Sequence, residues 1–178
     1  HVELNFLALS MWLWGGMFYI WIISLVFYRY SFFALLPQDL TPAYWINMGA
    51  MAISVLAGTL LMQNAVDTPL LASVLPFIKG FTVFYWATAT WWIPMLLVLT
   101  LWRHLVRRFP FVYEPQYWAA VFPLGMYAVA TEQMAAVLEL PFLNLLPPGV
   151  FAATLAAWTF VFVGLLRALG KIALRHRG

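Results

Sequence analysis

Lys79 and Glu132 are ionisable residues set within long apolar stretches, away from the cluster of basic residues that closes the chain, and no histidine or cysteine stands close to either in sequence. A lone carboxyl can carry a proton and a lone ammonium can attract an anion, but catalysis needs positioned partners. The chain has no cysteine, which excludes disulfides, thiol catalysis and thiolate metal sites. His1, His104 and His176 show no metal-ligand spacing and read as surface residues. An integral-membrane enzyme or redox subunit would need haem ligands, metal ligands or a second acid inside the apolar segments. Non-enzymatic function is therefore expected, with no metal and no cofactor.

A different kind of site is suggested by Phe122-Pro123-Leu124-Gly125. Proline inside a helix removes a backbone hydrogen bond and kinks the chain, and Gly125 loosens the same turn. A phenylalanine beside such a kink has two readings. It packs in a core, or it projects into a lumen and closes it by steric block and dewetting. Lys79 and Glu132 have two readings as well. Lys79 snorkels to the interface, or it draws anions into an outer vestibule with Glu132 as its partner.

The elements that hold these residues must be membrane-spanning. Hydrophobic residues make up 65% of the 178 and charged residues only 8%, against roughly 25% charged in soluble domains. Five apolar stretches, at about 5–28, 43–63, 77–102, 116–138 and 149–172, each reach the ~20 residues that cross a bilayer. Their unbroken apolar runs lack the alternation of a β-barrel strand, so the expected class is all-α and polytopic, a single transmembrane domain. The opening His1-Val2-Glu3 has neither an initiating Met nor a basic leader, which fits a mature helix within a longer chain.

Of nine Lys and Arg, eight fall on one side if the spans alternate: Arg29, Arg103, Arg107, Arg108, Arg167, Lys171, Arg175 and Arg177. Lys79 alone lies toward the other. The basic side is cytoplasmic, so a multi-pass protein of the cell (plasma or bacterial inner) membrane with a cytoplasmic C-terminus is expected, and the net charge of +3 reflects topology, not nucleic-acid binding. The loop Arg103-His104-Leu105-Val106-Arg107-Arg108 reads most simply as topogenic charge, with anionic lipid head groups as the alternative.

Spans two and four begin alike, with Pro42-Ala43-Tyr44-Trp45 and Pro115-Gln116-Tyr117-Trp118, and each continues into a run of small residues. This points to repeated hairpins. Small residues suit helices that approach closely in an inner ring. Trp12, Trp14, Trp21, Phe84, Trp86, Trp91, Trp92, Trp158, Phe160 and Phe162, on spans one, three and five, suit an outer ring against lipid or neighbouring subunits.

The Phe122-Pro123-Leu124-Gly125 segment, with Trp118 before it and Ala128-Val129-Ala130-Thr131 after it, resembles the slow-type anion channel and tellurite-resistance/C4-dicarboxylate transporter family. The segment from Tyr44 through Asn47 and Gly49 to Ser54 is similar to that family too. The resemblance implies the sixth to tenth helices of a ten-helix pore, with the first five from the same or another chain, assembled as a homotrimer. It also implies that Phe122 is the gate and that Asn47, Gly49, Ser54, Met126 and Val129 line the pore for small anions such as chloride, nitrate, dicarboxylate or tellurite. A structural transmembrane subunit of a larger complex is the alternative.

Overall fold

The computed structural model describes residues 2–175; His1, His176 and Arg177, named above, lie outside them. The chain folds as α1 (Val2–Phe32), α2 (Ile46–Asn64), the short α3 (Pro69–Ser73), α4 (Leu75–Leu101), α5 (Trp118–Val137) and α6 (Leu146–Arg175). Every regular element among the described residues is helical. Four segments, Val2–Phe32, Pro42–Asp67, Leu75–Val106 and Pro141–Leu174, are long and apolar enough to cross a membrane. The expected fourth span is helical as α5, but it is not among them. Its 20 residues give sufficient length, while Pro123, Thr131, Glu132 and Gln133 dilute its apolar character.

Two helices hold the bundle together. α2 packs against α1, α4 and α5, and α5 packs against α2 and α6. Half of the apolar window around α2 is buried, against 11% for those of α1 and α6. Met48, Met51, Ala52 and Val55 of α2 meet Ile78, Tyr85, Ala89 and Trp92 of α4 and Tyr127, Ala130 and Met134 of α5. Lipid supplies no hydrophobic drive between helices, so close packing and interhelical hydrogen bonds must do the work. Glycine permits the closest approaches: a Cβ on Gly58 would run into Thr82 of α4 and sit 3.0 Å from Trp12 of α1.

The polar ties are mostly indole and phenol groups, which corrects the expectation that the large aromatics form an outer ring. Trp12 and Trp92 are buried, and Trp86 is half-buried. Trp12 Nε1 donates to the Ser54 carbonyl at 2.8 Å, joining α1 to α2. Trp92 Nε1 donates to Tyr19 Oη at 2.6 Å, joining α4 to α1. Trp86 Nε1 donates to Thr131 Oγ1 at 3.0 Å, and Thr90 and Tyr127 share a 2.7 Å bond, so α4 also reaches α5. In an apolar medium a buried N–H without an acceptor is costly, which is why the amphipathic rings turn inward where an acceptor exists. Trp14, Trp21, Trp91 and Trp158 remain exposed.

α2 and α5 are entered in the same manner. An extended residue, Thr41 (φ −74°, ψ 159°) or Glu114 (φ −130°, ψ 141°), leads into a proline-initiated 3₁₀ turn, Pro42–Trp45 or Pro115–Tyr117. Proline fits there because the first turn has no intrahelical acceptor for its missing N–H. The two turns lie against each other, so both helices start from one end of the bundle.

Candidate functional site

α5 runs unbroken through Pro123. Pro123 is buried against α2 at one of the two positions where α2 offers no side chain: a Cβ on Gly49 would lie 2.9 Å from both Cβ and Cγ of Pro123. Gly49 is thus a contact point between helices, and only its backbone could border a lumen. Gly125 faces α6, with its Cβ position 3.4 Å from Thr154 Cγ2. The two glycines and the proline set the spacing of α2, α5 and α6 around Phe122.

Phe122 itself points away from these contacts. It is 56% exposed on a helix that buries Val121, Pro123, Tyr127, Ala128, Ala130, Thr131, Met134 and Ala135. Val129, 45% exposed, and Ala136 follow at intervals of seven, with exposed Glu132 between them and half-buried Met126 on the turn after Phe122. Residues seven apart share a helix face. α2 has a matching strip: Ile46, Ile53 and Leu60 are exposed, with Asn47, Ala50, Ser54 and Ala57 half-buried beside them. The Gly49–Pro123 contact places Phe122 within about one turn of Asn47 along the bundle. The two most enclosed helices therefore each leave one largely apolar face uncovered, with Glu132 as a charged member on α5.

The polar groups on these faces differ in what they have to offer. Ser54 Oγ donates to the Ala50 carbonyl at 2.9 Å, so its proton is already committed. The Asn47 amide makes no hydrogen bond among the described residues, which leaves both its N–H groups able to donate. Lys79, near the start of α4, and Glu132, on α5, are both exposed and form no ion pair with each other; the ion pair among the described residues is Arg29–Asp39, at 3.1 Å. Trp86 bonded to Thr131 marks a common level of α4 and α5. Lys79 lies two turns beyond it, so the two charges are offset by about 9 Å along the axis.

At the opposite end of α4 two sequence expectations are corrected. The helix continues into a π-turn over Trp102–Val106, closed by Arg107 N–H donating to the Trp102 carbonyl at 2.9 Å. His104 therefore belongs to an apolar segment, although none of the expected spans contained a histidine. It is half-buried, and its Nδ1 donates to the Phe109 carbonyl at 3.0 Å. Arg103 is not a surface charge: it is 5% exposed, with its guanidinium 4.2 Å above the Phe109 ring. The neighbouring Phe109 and Phe111 were the available signal, since arginine stacks readily on aromatic faces.

Residues 1–166 match the family model described as voltage-dependent anion channel. The chain belongs to that family. Among curated proteins, it is 39% identical over 151 residues to an uncharacterized membrane protein of Mycobacterium tuberculosis, found in two strains; the match covers 85% of this chain and 76% of the relative. It is also 25% and 24% identical to two uncharacterized transporters of Methanocaldococcus jannaschii, covering 89% and 84% of this chain. Of those archaeal proteins the matched part is 44% and 42%, so the chain spans less than half of their length. No solved structure matches. The voltage-dependent anion channel family comprises membrane transport proteins, which agrees with the apolar helices and with the family resemblance carried by the α2 and α5 segments.

Proposed function

We propose that this member of the voltage-dependent anion channel family forms one wall of an anion pathway, with Phe122 as the side chain that closes it. The observation that carries this reading is the exposure of Phe122 on α5, a helix otherwise held by packing on α2 and α6. A ring with an uncovered face can swing at little packing cost. Asn47 presents amide donors at nearly the same level, and Ile53, Met126 and Val129 supply the surrounding low-polarity surface. A few neutral donors in an apolar constriction bind anions weakly, which favours throughput over capture.

On this reading α2 and α5 are inner helices, α1, α4 and α6 are outer ones, and the proline-led turns mark repeated hairpins. The remaining inner helices come from the same or another chain, and the assembly is a homotrimer. Chloride, nitrate, a dicarboxylate or a tellurite oxyanion is the cargo. Lys79 and Glu132 line the outer mouth, and the C-terminus is cytoplasmic.

The absence of cysteine in the sequence makes accessibility mapping direct. Single cysteines at Asn47, Ser54, Phe122 and Val129 should react with a membrane-impermeant, charged thiol reagent and lose anion flux on modification. Cysteines at Trp21 and Leu169 should not react. Protection of all four inner positions, with reaction elsewhere, would show that the uncovered faces meet lipid or protein and not water.

A further inference from the structure

Arg103 closes a cavity of about 230 Å³ at the end of the bundle where α2 and α5 begin. The cavity lies between the last turns of α4, the entry turns of α2 and α5, and the middle of α6. Its walls are mainly apolar, with Leu96, Leu99, Val121, Leu124 and Ala157 among them, and Arg103 and His104 are its basic groups. A second groove, of about 980 Å³, shares Phe111, Tyr117, Phe160 and Val161 with the first and includes Arg167 and Lys171 in its lining.

The guanidinium is the anomaly. Arg103 Nε is fully buried and has no hydrogen-bond partner, and the side chain makes no ion pair or hydrogen bond among the described residues. Glu114, the acid of the following loop, does not pair with it. A buried lysine could shed its proton and become neutral, but arginine keeps its charge. An uncompensated buried charge is strongly destabilising, and stacking on Phe109 offsets only part of that cost. The fold has therefore set a permanent cation against an apolar cavity with no ion-pair partner among the described residues.

We propose that this cavity binds an anionic membrane lipid, with its phosphate against Arg103 and an acyl chain along the apolar walls. Two features of the cavity select an amphiphile over a free ion. The lining is largely hydrocarbon, which would strip a small anion of water and return few donors. The position, at the basic end of α4 and beside Arg167 and Lys171 of α6, is where a bilayer places its head groups. The site is separate from the Phe122 face: Val121 and Leu124, on other sides of α5, form its wall.

The test uses the full chain, purified and delipidated in neutral detergent. Phosphatidylglycerol, phosphatidylcholine with the same acyl chains, and inorganic phosphate are added in parallel, with bound lipid read by native mass spectrometry and melting temperature read alongside. Phosphatidylglycerol should be retained and should raise the melting temperature, while the other two should do neither. Arg103→Gln should weaken phosphatidylglycerol retention at least tenfold without lowering the lipid-free melting temperature. Ala157→Phe, which fills the cavity and leaves Arg103 in place, should also abolish selective retention. Equal retention of phosphatidylglycerol by wild type and Arg103→Gln, or equal stabilisation by inorganic phosphate, would overturn the proposal. So would retention of phosphatidylcholine to the same extent, or full retention by Ala157→Phe.

Discussion

Gly49→Ala is the substitution whose effect the structure defines most closely. The added Cβ would lie 2.9 Å from Pro123 Cβ, 2.9 Å from Cγ and 3.4 Å from Cα. Carbon atoms in good contact stand about 3.5–4.0 Å apart. The proline ring cannot rotate away, so α2 and α5 must separate by several tenths of an ångström. Overpacking of this kind costs about 1–3 kcal/mol. Replacing a helical glycine by alanine returns up to about 1 kcal/mol through backbone entropy. Gly80→Ala on α4 provides the control, because a Cβ there meets nothing within 4 Å, and it receives the same entropic gain without the clash. The difference between the two variants isolates the packing cost, and at ~2–4 °C per kcal/mol for a chain of this size it amounts to about 2–12 °C. Thermal unfolding of both variants in one detergent measures it. If Gly49→Ala melts at or above Gly80→Ala, the two helices are not held in contact at Pro123, and the placement of Phe122 loses its basis.

Two further outcomes follow from the charges. Lys79→Glu should lower anion flux at low ionic strength, and the deficit should shrink in ~1 M salt, where the screening length is only about 3 Å; an effect independent of salt would remove Lys79 from the mouth of the pathway. Cysteines introduced at Arg107 and Asp67 should label from opposite sides of the membrane, since they terminate α4 and α2 at opposite ends of the bundle; labelling of both from one side would end the orientation drawn from the basic residues.

The helices were legible because lipid-crossing segments must be long, apolar and hydrogen-bonded within themselves. The proline-led starts at Pro42 and Pro115 were legible for a local reason, the fixed φ of proline. What the sequence could not show was direction. Trp12 and Trp92 have the same composition signal as Trp14 and Trp21, yet the first pair turns inward because Ser54 and Tyr19 lie within reach as acceptors. Arg103 looked like Arg107 and Arg108, one more charge in a basic loop. Only the π-turn, which carries the α4 helix past Leu101, draws its guanidinium over the Phe109 ring. Gly49 and Pro123 were each notable in sequence, but their contact depends on two helices 74 positions apart being laid side by side.

Whether Phe122 closes the pathway is decided by anion flux through proteoliposomes containing the complete protein, compared between wild type and Phe122→Ala. A phenylalanine packed in a core costs about 3–5 kcal/mol when cut to alanine, but this ring is 56% exposed and loses far fewer contacts. Phe122→Ala should raise chloride or nitrate flux clearly and leave the melting temperature nearly unchanged. Unchanged flux together with a collapse in melting temperature would make Phe122 a structural residue and place the closure of the pathway elsewhere.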